Sequence, residues 1–234
     1  MSANIRQDVS ARYNPFRFLG DAMHLLSMII LLQKLYRTKN CTGVSLKTKI
    51  LYLLVFCMRY MDLFWNWTSL YNNSMKILYI GLTATTIYLI LGPLINTYDR
   101  ENDTFRLLFA IVPSCVIGFL VAIPRTFFYK GSLSFRPFEV VWASSIWLEC
   151  VAILPQLFLL ARTSEIESFT SSYIACLGGY RAIYILNWIY RFFHHQNRLW
   201  YVYLCGIIQT ALYADFFYYF FKAKLTKTRM KLPQ

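Results

Sequence analysis

Arginines and carboxylates occur in this sequence where hydrocarbon is expected. Its apolar stretches contain Arg17, Asp21 and His24, then Arg59 and Asp62, Glu139 and Glu149, Arg181 and Arg191, and finally Asp215. On an insertion scale each such charge costs roughly 2.5 to 3.5 kcal/mol at mid-span, so the set cannot face lipid and must point inward, toward one another or toward water. Spacings of three, four and seven put residues on one face of a helix. By that rule Arg17, Asp21 and His24 share a face, as do Arg59 and Asp62; Glu139, Trp142 and Glu149; and Arg181, Tyr184, Trp188 and Arg191, with Tyr180 beside Tyr184 and Asn187.

Arg17, Arg59 and Arg191 fall near the same predicted membrane face. Together they favour a ligand with several carboxylates, because the guanidinium fork matches a carboxylate in two parallel hydrogen bonds and is always charged. An acidic peptide with a free terminal carboxylate fits. Asp62 and Glu139 supply counter-charge for a positive group at the ligand's other end, and Trp142 offers a ring face to a cation. The same residues also admit a second reading, in which four arginines and five carboxylates pair internally. His24, on the face of Arg17 and Asp21, is placed to titrate across the acidity range of the secretory pathway, whereas His194 and His195 fall in a predicted loop. No catalytic triad, Gly-rich phosphate cradle or metal-ligand spacing occurs, so no enzyme, metal or cofactor is expected.

The elements that position these residues follow from hydropathy. Of the 234 residues, 57% are hydrophobic and only 15% charged, a balance that suits a bilayer-embedded chain. Seven runs of about 20 mostly apolar residues, each enough to cross the hydrocarbon as a helix, lie near 16–36, 48–70, 76–97, 105–124, 138–161, 171–192 and 200–221. None alternates as a membrane β-strand would. The expected fold is all-α, with an N-terminal extension over 1–15, a seven-helix membrane domain over 16–221 and a basic tail over 222–234. Pro155-Gln156 inside the fifth run frees a backbone carbonyl, which marks either a kink or a functional break. A faint repeat, Arg59 with Asn66-Trp67 against Arg181 with Asn187-Trp188, hints at parallel triple-helix repeats joined by a linking helix.

The net charge of +13 is distributed as topology rather than as a nucleic-acid stripe. With the N-terminus outside, the connections after runs 1, 3 and 5 and the tail, including Lys224, Lys227 and Arg229, carry most of the Lys and Arg that fall outside the runs. That asymmetry predicts a lumenal N-terminus and a cytosolic C-terminus. The six cysteines are scattered without paired spacing and read as packing residues.

Several segments resemble the endoplasmic-reticulum (ER) lumen protein retention receptors, the KDEL receptor family. They are Asn14-Pro-Phe-Arg-Phe-Leu-Gly-Asp21 with His24, Arg59-Tyr-Met-Asp62-Leu, Trp147-Leu-Glu149-Cys-Val-Ala-Ile-Leu-Pro-Gln156-Leu, Gly179-Tyr180-Arg181-Ala with Asn187-Trp188, and Asp215-Phe-Phe-Tyr218. The resemblance implies two triple-helix bundles joined by a linking helix, similar to PQ-loop and SWEET-type folds. It implies a cargo receptor that binds the C-terminal Lys/His-Asp-Glu-Leu signal of escaped ER residents in the acidic Golgi. Return is by coat-protein-I (COPI) vesicles, with release at neutral pH. Arg17, Arg59 and Arg191 match carboxylate-binding arginines, and Asp62, Glu139 and Trp142 match positions around the ligand's basic residue. Tyr180, Tyr184 and Trp188 complete the expected ligand contacts. His24 corresponds to the pH sensor, and Glu149, Tyr180 and Arg181 to a polar core that rearranges on capture. Asp215 matches an acid linked with transport competence. Lys224, Lys227 and Arg229 are the expected coat contacts.

This chain departs from the family's pattern in a thirteen-residue extension ahead of Asn14-Pro15. Around Phe127 to Ser134 it is longer, at His194-His195 relatives tend to be acidic, and the tail has Thr228-Arg229-Met230-Lys231. The competing functions are a small-solute transporter of related architecture and, on span number alone, a G-protein-coupled receptor. A transporter would move a radiolabelled solute into proteoliposomes; a receptor would bind peptide without flux.

Overall fold

The computed structural model describes residues 14–64, 69–127, 137–162, 168–194 and 200–226, and among these there is no strand. The helices are α1 (Pro15–Thr38), α2 (Leu46–Arg59), α3 (Leu70–Leu91), α4 (Leu108–Phe127), α5 (Pro137–Val151), α6 (Leu154–Arg162), α7 (Ser168–His194), α8 (Trp200–Leu212) and α9 (Ala214–Thr226). Short 3-10 turns at Met61–Phe64 and Ile95–Thr97 follow α2 and α3.

Local chemistry explains where the first helices begin. The Asn14 side-chain oxygen accepts from the Arg17 N–H at 2.9 Å, with Pro15 at the first helical position, where its missing N–H costs nothing. Ser45 caps α2 through the Thr48 N–H, and Ser69 caps α3 through the Asn72 N–H, each at 3.2 Å. By length and composition α1, α3 and the α5–α6 pair can each cross a membrane, and α8 with α9 makes a fourth span if that bent pair is counted as one. Helix α7 has ample length at 27 residues but buries Thr170, Ser171, Arg181 and Asn187 within it.

The apolar runs locate the helices but not their breaks. The run at 48–70 does not form one helix: α2 stops at Arg59, a 3-10 turn takes up Met61–Phe64, and α3 starts at Leu70, six residues before the 76 that hydropathy gives. The Asn72-Asn73 pair, read as a connection, lies in the first turn of α3. The run at 138–161 is split at Ala152–Ile153, just before Pro155, and the run at 200–221 is split at Tyr213.

The chain divides into two compact units. The first holds α1 as far as Lys34 together with α7, α8 and α9. Its core includes Leu31 of α1 and Tyr173, Ile174 and Leu177 of α7, with Tyr213 and Phe216. Trp188 of α7 lies so close to Gly206 of α8 that a Cβ there would sit 1.7 Å from the indole, so only glycine admits the ring. The second unit holds the last turn of α1 and α2 to α6. Leu51, Tyr52, Val55 and Phe56 give α2 a buried face. Helices α4 and α5 meet at Gly118, where a Cβ would come within 2.5 Å of the Ser144 backbone, the close approach that small residues permit between membrane helices. The opposite side of α4 leaves Leu108, Phe109, Val112, Val116 and Leu120 exposed, the pattern of a lipid-facing stripe.

Candidate ligand-binding residues

In the first unit, α1 and α7 hold their polar residues in register. Arg17 and Asp21, one turn apart on α1, form an ion pair at 3.8 Å with side chains 25% and 9% exposed. Tyr184 of α7 donates its hydroxyl to the same Asp21 carboxylate. One turn further along α1, His24 stacks on Tyr180, with ring centroids 4.1 Å apart and planes 5° from parallel. The Arg181 guanidinium lies 4.6 Å from the centroid of the same Tyr180 ring. A tyrosine ring in contact with both an imidazole and a guanidinium is sensitive to the charge on either. Trp188 packs edge-on against Tyr184 and Tyr203, and the Asn14 amide donates to Asn187 at 2.6 Å, tying the start of α1 to α7. At the far end of α1, buried Lys34 donates to Thr170 at 2.7 Å.

In the second unit, Arg59 at the end of α2 donates to the Glu149 carboxylate and, through Nε, to Ser145 at 3.2 Å, both on α5. The Ser145 hydroxyl in turn donates to the Trp142 carbonyl at 2.6 Å. Asp62 pairs elsewhere. The chain leaves α2 at Tyr60, so Asp62 rides on the 3-10 turn, and its two carboxylate oxygens accept from Lys76 of α3 at 2.8 and 2.7 Å. Glu139 sits in the first turn of α5, where a carboxylate suits the positive end of the helix dipole, and Trp142 lies one turn on.

A separate polar knot in this unit joins the connections at the other end of α2. The Gln156 side chain accepts from the Ser45 N–H at 2.9 Å and donates to the Gly43 carbonyl at 2.8 Å, while its backbone N–H donates to Thr48 at 2.9 Å. The break before Pro155 thus frees groups that are bonded again within the same unit. Buried Asp103 accepts from Ser45 at 3.0 Å, from the Tyr98 hydroxyl at 2.7 Å and from the Lys47 N–H at 3.4 Å. Burial, and next the hydrogen bond to Asp103, push the Tyr98 phenol well above its usual range.

Of the expected site residues, the structure brings together Arg17, Asp21, His24, Tyr180, Arg181, Tyr184 and Trp188 in one unit, and Arg59, Glu149 and Trp142 in the other. Arg59 and Asp62 have different ion-pair partners, Glu149 and Lys76. Arg191 lies in α7 and Asp215 and Lys224 in α9, but their side chains, with the whole of His195, Lys227 and Arg229, fall outside the described residues. Two participants escaped the sequence reading. Lys76, the first residue of the apolar run at 76–97, drew no reading as a site residue, although the Ser69 cap ahead of that run is the signal that puts it well inside a helix. Ser145 carries no signal of its own beyond lying one turn before Glu149.

A model of ER lumen protein retaining receptors matches residues 40–191. Among curated proteins, an ER lumen protein-retaining receptor of Dictyostelium discoideum is 47% identical over 94% of this chain and 100% of its own length. The receptor A of that name from Arabidopsis thaliana is 46% identical over 94% of this chain and 99% of its own, and receptor 2 of Danio rerio is 44% identical over the same shares.

Proposed function

This chain belongs to the ER lumen protein retaining receptor family, which is a family of receptors and not of enzymes, and on that footing we propose that it captures lumenal proteins by a C-terminal Lys/His-Asp-Glu-Leu signal. Capture takes place in the acidic Golgi and release in the neutral ER, with return by COPI vesicles. In this reading seven spans form two triple-helix bundles joined by a linking helix, with a lumenal N-terminus, and the basic tail with Lys224, Lys227 and Arg229 meets the coat. Arg17, Arg59 and Arg191 bind the ligand's carboxylates, Asp62, Glu139 and Trp142 surround its basic residue, and Tyr180, Tyr184 and Trp188 add further contacts. His24 with Glu149, Tyr180 and Arg181 links protonation to capture, and Asp215 bears on transport.

The observation that most supports this reading is the state of the two arginines. Arg17 and Arg59 each stand in an ion pair, yet keep 25% and 20% of their side chains exposed. A ligand carboxylate can therefore reach either guanidinium from solvent and exchange with its internal partner, Asp21 or Glu149, whose own buried carboxylate must then find other partners. Protonation of His24 adds positive charge beside that exchange. An anionic ligand and a protonated imidazole favour one another, so binding takes up protons and affinity falls as pH rises.

Titration of the purified chain with free and C-terminally amidated Asp-Glu-Leu peptides, at one acidic and one neutral pH, tests both parts. Amidation should weaken binding by about tenfold or more, because the ligand then offers the arginine no charged acceptor in exchange for the carboxylate it already holds. Equal binding of the two peptides would end the carboxylate assignment. His24→Ala should flatten the pH profile; a profile that stays steep in that variant and vanishes when His194 and His195 are both replaced would move the sensor to the loop pair.

A further inference from the structure

Asp62 is held by a cation of the chain itself. Lys76 reaches both of its carboxylate oxygens, at 2.7 and 2.8 Å, and among the described residues it is the ion-pair partner of Asp62. The two partners are not equally accessible: the Lys76 side chain is 13% exposed and that of Asp62 is 37% exposed. The ammonium lies 5.8 Å from the Tyr60 ring centroid, and the carboxylate it holds keeps the larger share of exposed surface. Both groups stand on anchored backbone. The Leu63 N–H donates to the Tyr60 carbonyl at 3.0 Å across the turn that carries Asp62, and Ser69 caps the helix that carries Lys76.

We propose that Lys76 is a tethered stand-in for the ligand's basic residue, and that it sets how strongly the protein prefers a positive charge four residues from the ligand's C-terminus. The inference rests on the receptor reading and on Asp62 meeting that residue. A ligand cation that takes Asp62 must loosen an ammonium already there, so its gain is the difference between two similar contacts. A ligand with a neutral residue at that position leaves the Lys76 contact intact and loses nothing. The tether therefore compresses selectivity, making the protein tolerant at the fourth position.

The test uses the full chain in detergent and N-acetylated peptides ending in Lys-Asp-Glu-Leu or Gln-Asp-Glu-Leu, read as the ratio of their affinities. Lys76→Met removes the ammonium and keeps most of the stem. It should raise the ratio in favour of the lysine peptide by about two- to fivefold, the size of a part-exposed ion pair. Lys76→Arg, which keeps a cation, should stay near the wild-type ratio, and Lys76→Met placed on Asp62→Asn should produce no increase. Should Lys76→Met fold poorly, Lys76→Gln gives the same reading. An unchanged ratio, or an equal loss of affinity for both peptides, overturns the inference and makes Lys76 a support for the turn. Failure of the wild-type chain to bind either peptide is a different result, which takes down the receptor reading and this inference with it.

Discussion

The two ends of α2 differ in what their polar groups are built to do. At its start, Ser45, Thr48, Gln156 and Asp103 are buried and exchange hydrogen bonds between uncharged groups and one carboxylate, nearly all between segments far apart in sequence. At its end, Arg59 and, on the turn, Asp62 make full ion pairs with side chains 20% and 37% exposed, against partners, Glu149 and Lys76, at 7% and 13%. A buried network of neutral donors and acceptors is costly to open because each freed group must find a new partner. An ion pair with one partner open to solvent can give up that partner's contact to a ligand group of the same charge as the other. One end therefore holds the fold and the other is available for recognition, and substitutions at the two ends should separate affinity from stability.

The largest effect is expected at the exchanging end. Arg59→Lys keeps the charge but cannot reproduce the guanidinium's several directed donors, which here reach Glu149 and Ser145 at once. Peptide affinity should fall by about 30-fold or more, with a much smaller change in thermal stability. Arg162→Lys, at the exposed end of α6, should be silent in both assays. Indistinguishable binding by the two variants would take Arg59 out of the recognition machinery.

At the holding end the pattern should invert. Gln156→Leu preserves bulk but strips partners from the Ser45 N–H and the Gly43 carbonyl, and leaving such buried groups unsatisfied costs about 1–3 kcal/mol. The melting temperature in detergent should drop, while the folded fraction binds peptide with nearly wild-type affinity. A Gln156 variant of normal stability and impaired binding would show that the knot is part of the recognition machinery.

The contrast between the ends was only partly legible in the sequence. The helix locations followed from apolar runs because lipid exposure imposes length and hydropathy, and the pairing of Arg17 with Asp21 followed from a spacing of four on an unbroken helix. The partner of Asp62 was not legible for the complementary reason. A spacing of three implies a shared face only while the helix continues, and α2 ends at Tyr60 without a glycine or proline to announce it. The knot was hidden because its bonds, apart from Tyr98 to Asp103, link residues more than fifty positions apart. Asp103 and Gln156 look like a loop acid and a helix-break amide until the fold brings Ser45 to both. The reading in which the membrane charges pair internally also needed the structure. It agrees with Arg17–Asp21, Arg59–Glu149 and Lys76–Asp62, and it does not compete with ligand binding if those pairs are what a ligand exchanges with.

The smallest expected effect tests the knot through its pH dependence. The Tyr98 hydroxyl donates to Asp103 at 2.7 Å, and burial followed by that bond holds the phenol protonated well above its usual value of about 10. Tyr98→Phe deletes one hydrogen bond to a charged acceptor, so at neutral pH it should destabilise the chain by about 1 kcal/mol. The sign with pH is fixed by linkage. A phenol that binds its proton more tightly folded than unfolded contributes stability that is fully present below the unfolded pKa and is lost as pH climbs toward the folded one. The stability gap between wild type and Tyr98→Phe should therefore be flat from neutral pH to about pH 9 and close at higher pH, because only the wild type has this proton to lose. Denaturant titrations of both proteins in the same detergent, at steps from pH 7 upward, measure that gap directly, and the other tyrosines and lysines cancel in the difference. A gap that widens above pH 10 would mean that the tyrosinate is accommodated beside Asp103, and the holding end would then be an adaptable site like its counterpart across α2.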